Sequence, residues 1–136
     1  MSKKPTDNAA ATVVMVRRRE IFDNLQRLDL FTGISDRTAG TRALSMYKVA
    51  MPPGGAAEPH SHRDYETAIY ILKGRIETRY GEGLKQSMTH EAGDFVFIPA
   101  GVPHQPVNLS ETETAEAIVA RNDPSEQENV IPYCLG

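Results

Sequence analysis

Three of the four histidines in this chain fall in two short clusters whose spacing suits a single bound metal ion. The first cluster runs from Gly54 to Gly74 and contains His60, His62 and Glu66. The second runs from Gly93 to Asn108 and presents His104 just after the turn Pro99-Ala-Gly101. Two imidazoles at i and i+2 of an extended segment point the same way. Glu66, four residues beyond His62, has the same parity. A third imidazole must come from elsewhere in the chain, and His104 is placed to supply it. Three neutral nitrogens and one carboxylate oxygen suit one borderline divalent ion of Mn, Fe, Co, Ni or Zn.

The elements that must carry these residues read as strands. Ala43–Ala50 is a strand ending at Pro52-Pro53-Gly54-Gly55, a strong turn signal. Thr67–Leu72 is apolar on both faces, which predicts full burial. Lys73-Gly74 turns the chain into Arg75–Tyr80, which alternates and should keep one wet face. Leu84–His90 is a short strand, Phe95–Ile98 a buried one, and Ala115–Ala120 the last. Strands that recur roughly every 8–12 residues with turn chemistry between them indicate an all-β sandwich or barrel. Val13–Val16 is a β-branched run and reads as a further strand. Ile21, Leu25 and Leu28 fit helical spacing, but Asp23, Asn24 and Gly33 argue equally for an irregular arm, and no long helix is expected.

At 136 residues the chain is one domain's worth. The boundaries read as a disordered leader over 1–11, an N-terminal arm over 12–40, a barrel over 41–125 and a tail over 126–136. A net charge of -3 and a pI near 5.8 give no electrostatic case for nucleic acid or an anionic membrane. The triplet Arg17–Arg19 reads as solvated surface. No apolar run is long enough to span a bilayer. The N-terminus lacks the apolar core of a secretion signal, and the single Cys134 cannot form an internal disulfide, so the expected setting is the cytoplasm.

In these residues the chain resembles the cupin superfamily, and most of all its small single-domain bacterial members of the RmlC-like type. Gly54, His60, His62, Glu66 and Gly74 match the first family motif, with seven residues rather than six before Gly74. Gly93, Pro99, Gly101, His104 and Asn108 match the second without a gap. The resemblance implies an all-β double-stranded β-helix, a jelly-roll barrel, with a metal at its centre bound by His60, His62, Glu66 and His104. The extra residue leaves an alternative. Counted back from Gly74, Thr67 takes the carboxylate position and Glu66 sits one residue early, and a one-residue slip along a strand reverses the face. Glu66 is favoured, because a neutral hydroxyl is a poor ligand and a bulge can absorb one residue.

Catalytic candidates around that ion are Tyr70, which shares parity with Glu66, and Gln105, which follows His104. Arg121, at the end of the last strand, is a candidate partner for a substrate carboxylate or for an acid on the rim. His90 is expected to be exposed, and Phe95, Phe97, Ile69 and Ile71 to be core or interface. The implied function is a metal-dependent enzyme on a small organic acid or sugar-like molecule. Lewis-acid isomerase, lyase or decarboxylase chemistry and dioxygenase chemistry are both open. The alternative is a non-catalytic small-molecule-binding module. A homodimer is expected, as is common for small members of the superfamily.

Overall fold

The structure, a computed structural model, describes residues 12–17, 21–22, 28–125 and 130–135. Its strands are β1 (Ile21–Phe22), β2 (Asp29–Ile34), β3 (Ser45–Met51), β4 (His60–His62), β5 (Thr67–Lys73), β6 (Arg75–Tyr80), β7 (Gln86–Glu91), β8 (Phe95–Ile98), β9 (His104–Asn108), β10 (Ala115–Arg121) and β11 (Val130–Pro132). One short helix, α1 (Asp36–Ala39), follows β2. The strands form two sheets, ordered β1-β2-β3-β10-β5-β8 and β11-β4-β9-β6-β7. Every pairing among the described residues is antiparallel. This is the jelly-roll arrangement that the resemblance implies, and it agrees with the all-β sandwich or barrel indicated by the strand and turn pattern.

The core follows from period-two alternation. Tyr47, Val49 and Met51 of β3 and Ala115, Ala117 and Val119 of β10 point inward, with Leu28, Leu30, Ile71 and Ile76 against them. Lys48 and Glu116 take the outer face of the same strands and pair at 3.0 Å, a partly exposed ion pair of small energetic weight. Inward residues of a small barrel fill its interior, so side chains on facing strands must meet there.

Two tight features fix the connections around the site. At Gly74, between β5 and β6, φ is +90°, and a Cβ would come within 2.9 Å of the Ala115 Cβ and 3.0 Å of its Cα. Only glycine fits that turn without moving β10. Asn108, at the end of β9, is buried and donates through Nδ2 to the carbonyls of Met51, Pro52 and Glu113 at 2.8–3.0 Å. Its Oδ1 accepts from the Ser110 amide. It closes the turns at one end of the barrel.

Several expectations change. β5 and β8 are buried on one face only, because no other described element covers the outer face of the larger sheet there. Their outer residues Tyr70, Leu72, Phe95 and Phe97 are exposed, Phe95 to 83% and Phe97 to 59%. Residues 13–16 form no strand among the described residues, and Val13 and Met15 are exposed. Residues 29–34 of the expected arm pair with β3 as β2. The leader over 1–11 and most of the Ile21–Leu28 spacing lie outside the described residues. Among the described residues no helix is long and apolar enough to cross a membrane.

Replacing Asn108 by alanine should lower unfolding free energy by about 1–3 kcal/mol, since buried carbonyls lose their donor. Urea unfolding measures it, and a loss below about 0.5 kcal/mol, the range of ordinary surface substitutions, would show that the staple carries no weight.

Candidate metal centre

The centre is built by one strand pair. β4 and β9 lie side by side with His60 directly opposite His104, and His62 follows two residues on, on the same buried face. Residues opposite each other in an antiparallel pair share a face. The three rings therefore converge, with centroids 4.3 Å apart for His60 and His104, 4.9 Å for His60 and His62, and 5.2 Å for His62 and His104. One nitrogen from each ring lies within 4.8 Å of the other two. The turn before β9 is tied to the same place, because the Gly101 amide donates to the His62 carbonyl at 2.6 Å.

The rings are oriented from behind. His60 Nδ1 faces the carbonyl of Glu58 at 2.5 Å, and His104 Nδ1 faces that of Val102 at 2.9 Å. A carbonyl only accepts, so both Nδ1 atoms carry the proton and both Nε2 atoms keep their lone pairs. His62 differs, because its Nδ1 meets the hydroxyl of buried Tyr65 at 2.7 Å, and the two rings stack at 4.8 Å. Behind Tyr65 lies Arg121, which donates to that hydroxyl at 3.5 Å, to Ser45 Oγ at 2.9 Å and to the Ser125 carbonyl. Its guanidinium sits 5.2 Å from the ring centres of both Tyr47 and Tyr65. Arg121 thus supports the site from within the wall, buried rather than on the rim.

Burial also sets protonation. Desolvation holds the His60 pKa below its ordinary value, against the raising effect of the Glu58 carbonyl. His104 is pushed down to about 4, first by desolvation and then by the nearby His60, with the Val102 carbonyl opposing. Neutral imidazoles are the form a metal binds. Nitrogens sharing an ion at about 2.1 Å stand roughly 3–4 Å apart, so a ring movement of about 1 Å closes the observed spread. The triad can hold a metal ion, and its donor chemistry fits one.

Glu66 does not join the triad. It is exposed, lies beside the outer groove of Ala68, Phe97 and Asn122, and its amide donates to Asn122 Oδ1 at 2.8 Å. Thr67 is buried instead and faces the cavity. The parity argument fails because the chain leaves β4 at His62 and enters the other sheet at Thr67, so residues 63–66 are no strand. Tyr70 is also outside, against Phe95 with ring centres 4.7 Å apart. Gln105 follows the alternation away from the cavity and donates to the Ala57 carbonyl at 3.0 Å.

The cavity around the triad measures about 60 Å³, room for several waters at roughly 10–15 Å³ each. Leu30, Val49, Ile71, Val96 and Ile98 make much of its wall. Its other polar pair is His90 with Thr78, joined Nε2 to Oγ1 at 2.8 Å. His90 is buried rather than exposed, and desolvation holds its pKa down while Asp94 opposes. Nothing in the spacer marks it, since every other residue of β7 is exposed. Tyr65 likewise carried no signal beyond its closeness to His62.

A family model described as a cupin domain matches residues 47–121, over half of the chain. This chain is a cupin. It is 34% identical over 92 residues to germin-like protein subfamily T member 3 of Arabidopsis thaliana, a match covering 63% of this cupin and 39% of the relative. The chain thus spans well under half the length of that plant protein. Among solved structures, the polyketide cyclase RemF of Streptomyces resistomycificus superposes with a TM-score of 0.72 at 23% identity, covering 92% of this cupin and 88% of RemF. Oxalate decarboxylase of Lactobacillus farciminis gives 0.67 at 20% identity, over 85% of this cupin and 33% of the decarboxylase. At such identities the structural likeness speaks for the fold.

The depressed His104 pKa has a consequence for the metal-free protein. Between pH 6.5 and about 4 the unfolded chain takes up a proton that folded His104 refuses. Stability is therefore fully present above 6.5 and falls as the pH drops to about 4, by up to about 3 kcal/mol from this group. Urea titrations across that range should show a shallower fall in His104→Phe than in the wild type, and equal slopes would exclude the effect.

Proposed function

We propose that this cupin is a metal-dependent enzyme acting on a small molecule, with His60, His62 and His104 as the protein ligands of one divalent transition ion. The observation that carries the reading is the convergence of three imidazoles on a cavity lined largely by apolar side chains. Such an ion, when bound, polarises a carbonyl or carboxylate oxygen, or brings substrate and O2 together if it is redox-active. Isomerase, lyase or decarboxylase chemistry and dioxygenase chemistry follow from those two modes. That RemF is a cyclase and the Lactobacillus farciminis protein a decarboxylase supports an enzymatic reading of this barrel.

The chain's own residues divide the remaining tasks. The apolar walls exclude water and hold the body of the substrate. Arg121 and Tyr65 keep the His62 ring in place. His90, with Thr78, is the group positioned to hold or move a proton inside the cavity, and it replaces Tyr70 and Gln105 in that role. One observation favours a second reading, a binding module without catalysis: beyond the triad, Thr67 and Tyr47, the described lining offers only this pair for proton transfer.

We also assign homodimerisation to the outer face of β5 and β8. Tyr70, Leu72, Phe95 and Phe97 form an exposed apolar strip there, and among the described residues β8 is an edge strand, paired on one side only. Strips of this kind on a free sheet edge are covered in stable proteins by a partner.

Elemental analysis of protein purified without added metal or chelator should find close to one transition ion per chain. In His60→Ala or His104→Ala the bound metal should fall at least tenfold while the far-ultraviolet dichroism stays that of a β barrel. Tyr65→Phe should weaken metal affinity by about 10–100-fold, the usual effect of losing a partner behind a ligand. Unchanged metal content in both histidine variants would end the assignment. Light scattering should give twice the 15.0 kDa chain mass, and the double variant Phe95→Glu with Phe97→Glu should run as a monomer. A wild-type particle of 15.0 kDa would dismiss the dimer.

A further inference from the structure

The triad offers three imidazole nitrogens and no carboxylate. Thr67 faces the cavity where the sequence led one to expect a carboxylate, Glu66 stands outside, and no Asp or Glu lines the cavity among the described residues. His90 and Thr78, joined to each other, and Tyr47 complete the polar side chains of its described lining, and none of them is a carboxylate. A divalent ion held there would keep its whole double charge in a largely apolar enclosure. An uncompensated charge away from water is strongly disfavoured. A ligand that brings negative charge to the open coordination positions removes that penalty, and a neutral one does not.

We infer that this centre is built for an organic anion, a small carboxylate or enolate-type oxygen donor on an apolar body, and that anion and metal bind cooperatively. The inference rests on the triad holding a metal, as proposed above. Charge selects the head of the ligand, and the walls formed by Val49, Ile71 and Val96 select its body. The cavity of about 60 Å³ limits that body to a few atoms. Sugar-like ligands fit poorly, because their hydroxyls would face aliphatic side chains. Coupling between two bound species is reciprocal, so an anion that needs the metal must also tighten the metal.

The test uses Co2+ as the metal, propionate as the anion and propionamide as its neutral counterpart of the same shape. Calorimetric titration of Co2+ into the metal-free full chain, at fixed pH and ionic strength, should show affinity raised by about tenfold in propionate over propionamide, within the usual span of coupling. Propionate also binds Co2+ in solution, which would lower the apparent affinity, so an increase cannot be that artefact. In Thr67→Glu, with a carboxylate supplied by the protein, Co2+ should bind at least as tightly without anion and the propionate enhancement should fall to less than twofold. Should that variant not fold, the shorter Thr67→Asp serves the same comparison. Co2+ binding that is indifferent to propionate, or an enhancement undiminished by the acidic variant, overturns this inference and leaves the metal site standing. Failure of the wild type to bind Co2+ at all overturns both.

Discussion

The cross-strand pairing of His60 with His104 is the constraint on which the site depends. In an antiparallel ladder, directly opposed residues share a face, so one register places two imidazoles together inside the barrel. His62 joins them because it lies two residues along the same strand. A slip of one residue between β4 and β9 would turn His104 outward and bring Gln105 in. The register is held from several sides. β9 is paired along its length with β6, the Gly101 amide is tied to the His62 carbonyl, and buried Asn108 anchors the far end of the strand to three carbonyls.

Around that pair the barrel arranges its supports in two ways. His60 and His104 are oriented by carbonyls two residues upstream, just before their strands begin, so their tautomers follow from local backbone geometry. His62 depends on side chains from a loop and from the other sheet: Tyr65 after β4, and Arg121 at the end of β10. Arg121 spends its donors on Ser45, Ser125 and Tyr65 and lies against two aromatic faces. A buried guanidinium needs such partners to offset its desolvation, and here they also brace a ring at the centre.

The outer surface answers to a different rule. β5 and β8 read as fully buried because their residues are apolar at both parities. The inner parity does reach the core through Ile71, Val96 and Ile98. The outer parity finds no second layer among the described residues, which cover this part of the six-stranded sheet on one side only. Apolar composition reports that a face is to be covered, but not whether the cover is the same chain or another.

Strand spacing and turn residues were enough to read an all-β sandwich or barrel, the resemblance carried by the two motifs made it a jelly roll, and the spacing of the histidines marked the two segments that meet at its centre. These are local or period-two properties, and they survive folding because a strand alternates its faces wherever it is placed. The choice between Glu66 and Thr67 was beyond that logic, because the chain changes sheets between His62 and Thr67 and parity does not carry across an irregular crossing. The burial of His90, the outward turn of Tyr70 and the hold of Arg121 through Tyr65 on His62 were also settled only by tertiary structure. Each depends on which strand stands at an edge and which residues distant in sequence become neighbours when two sheets close on one another.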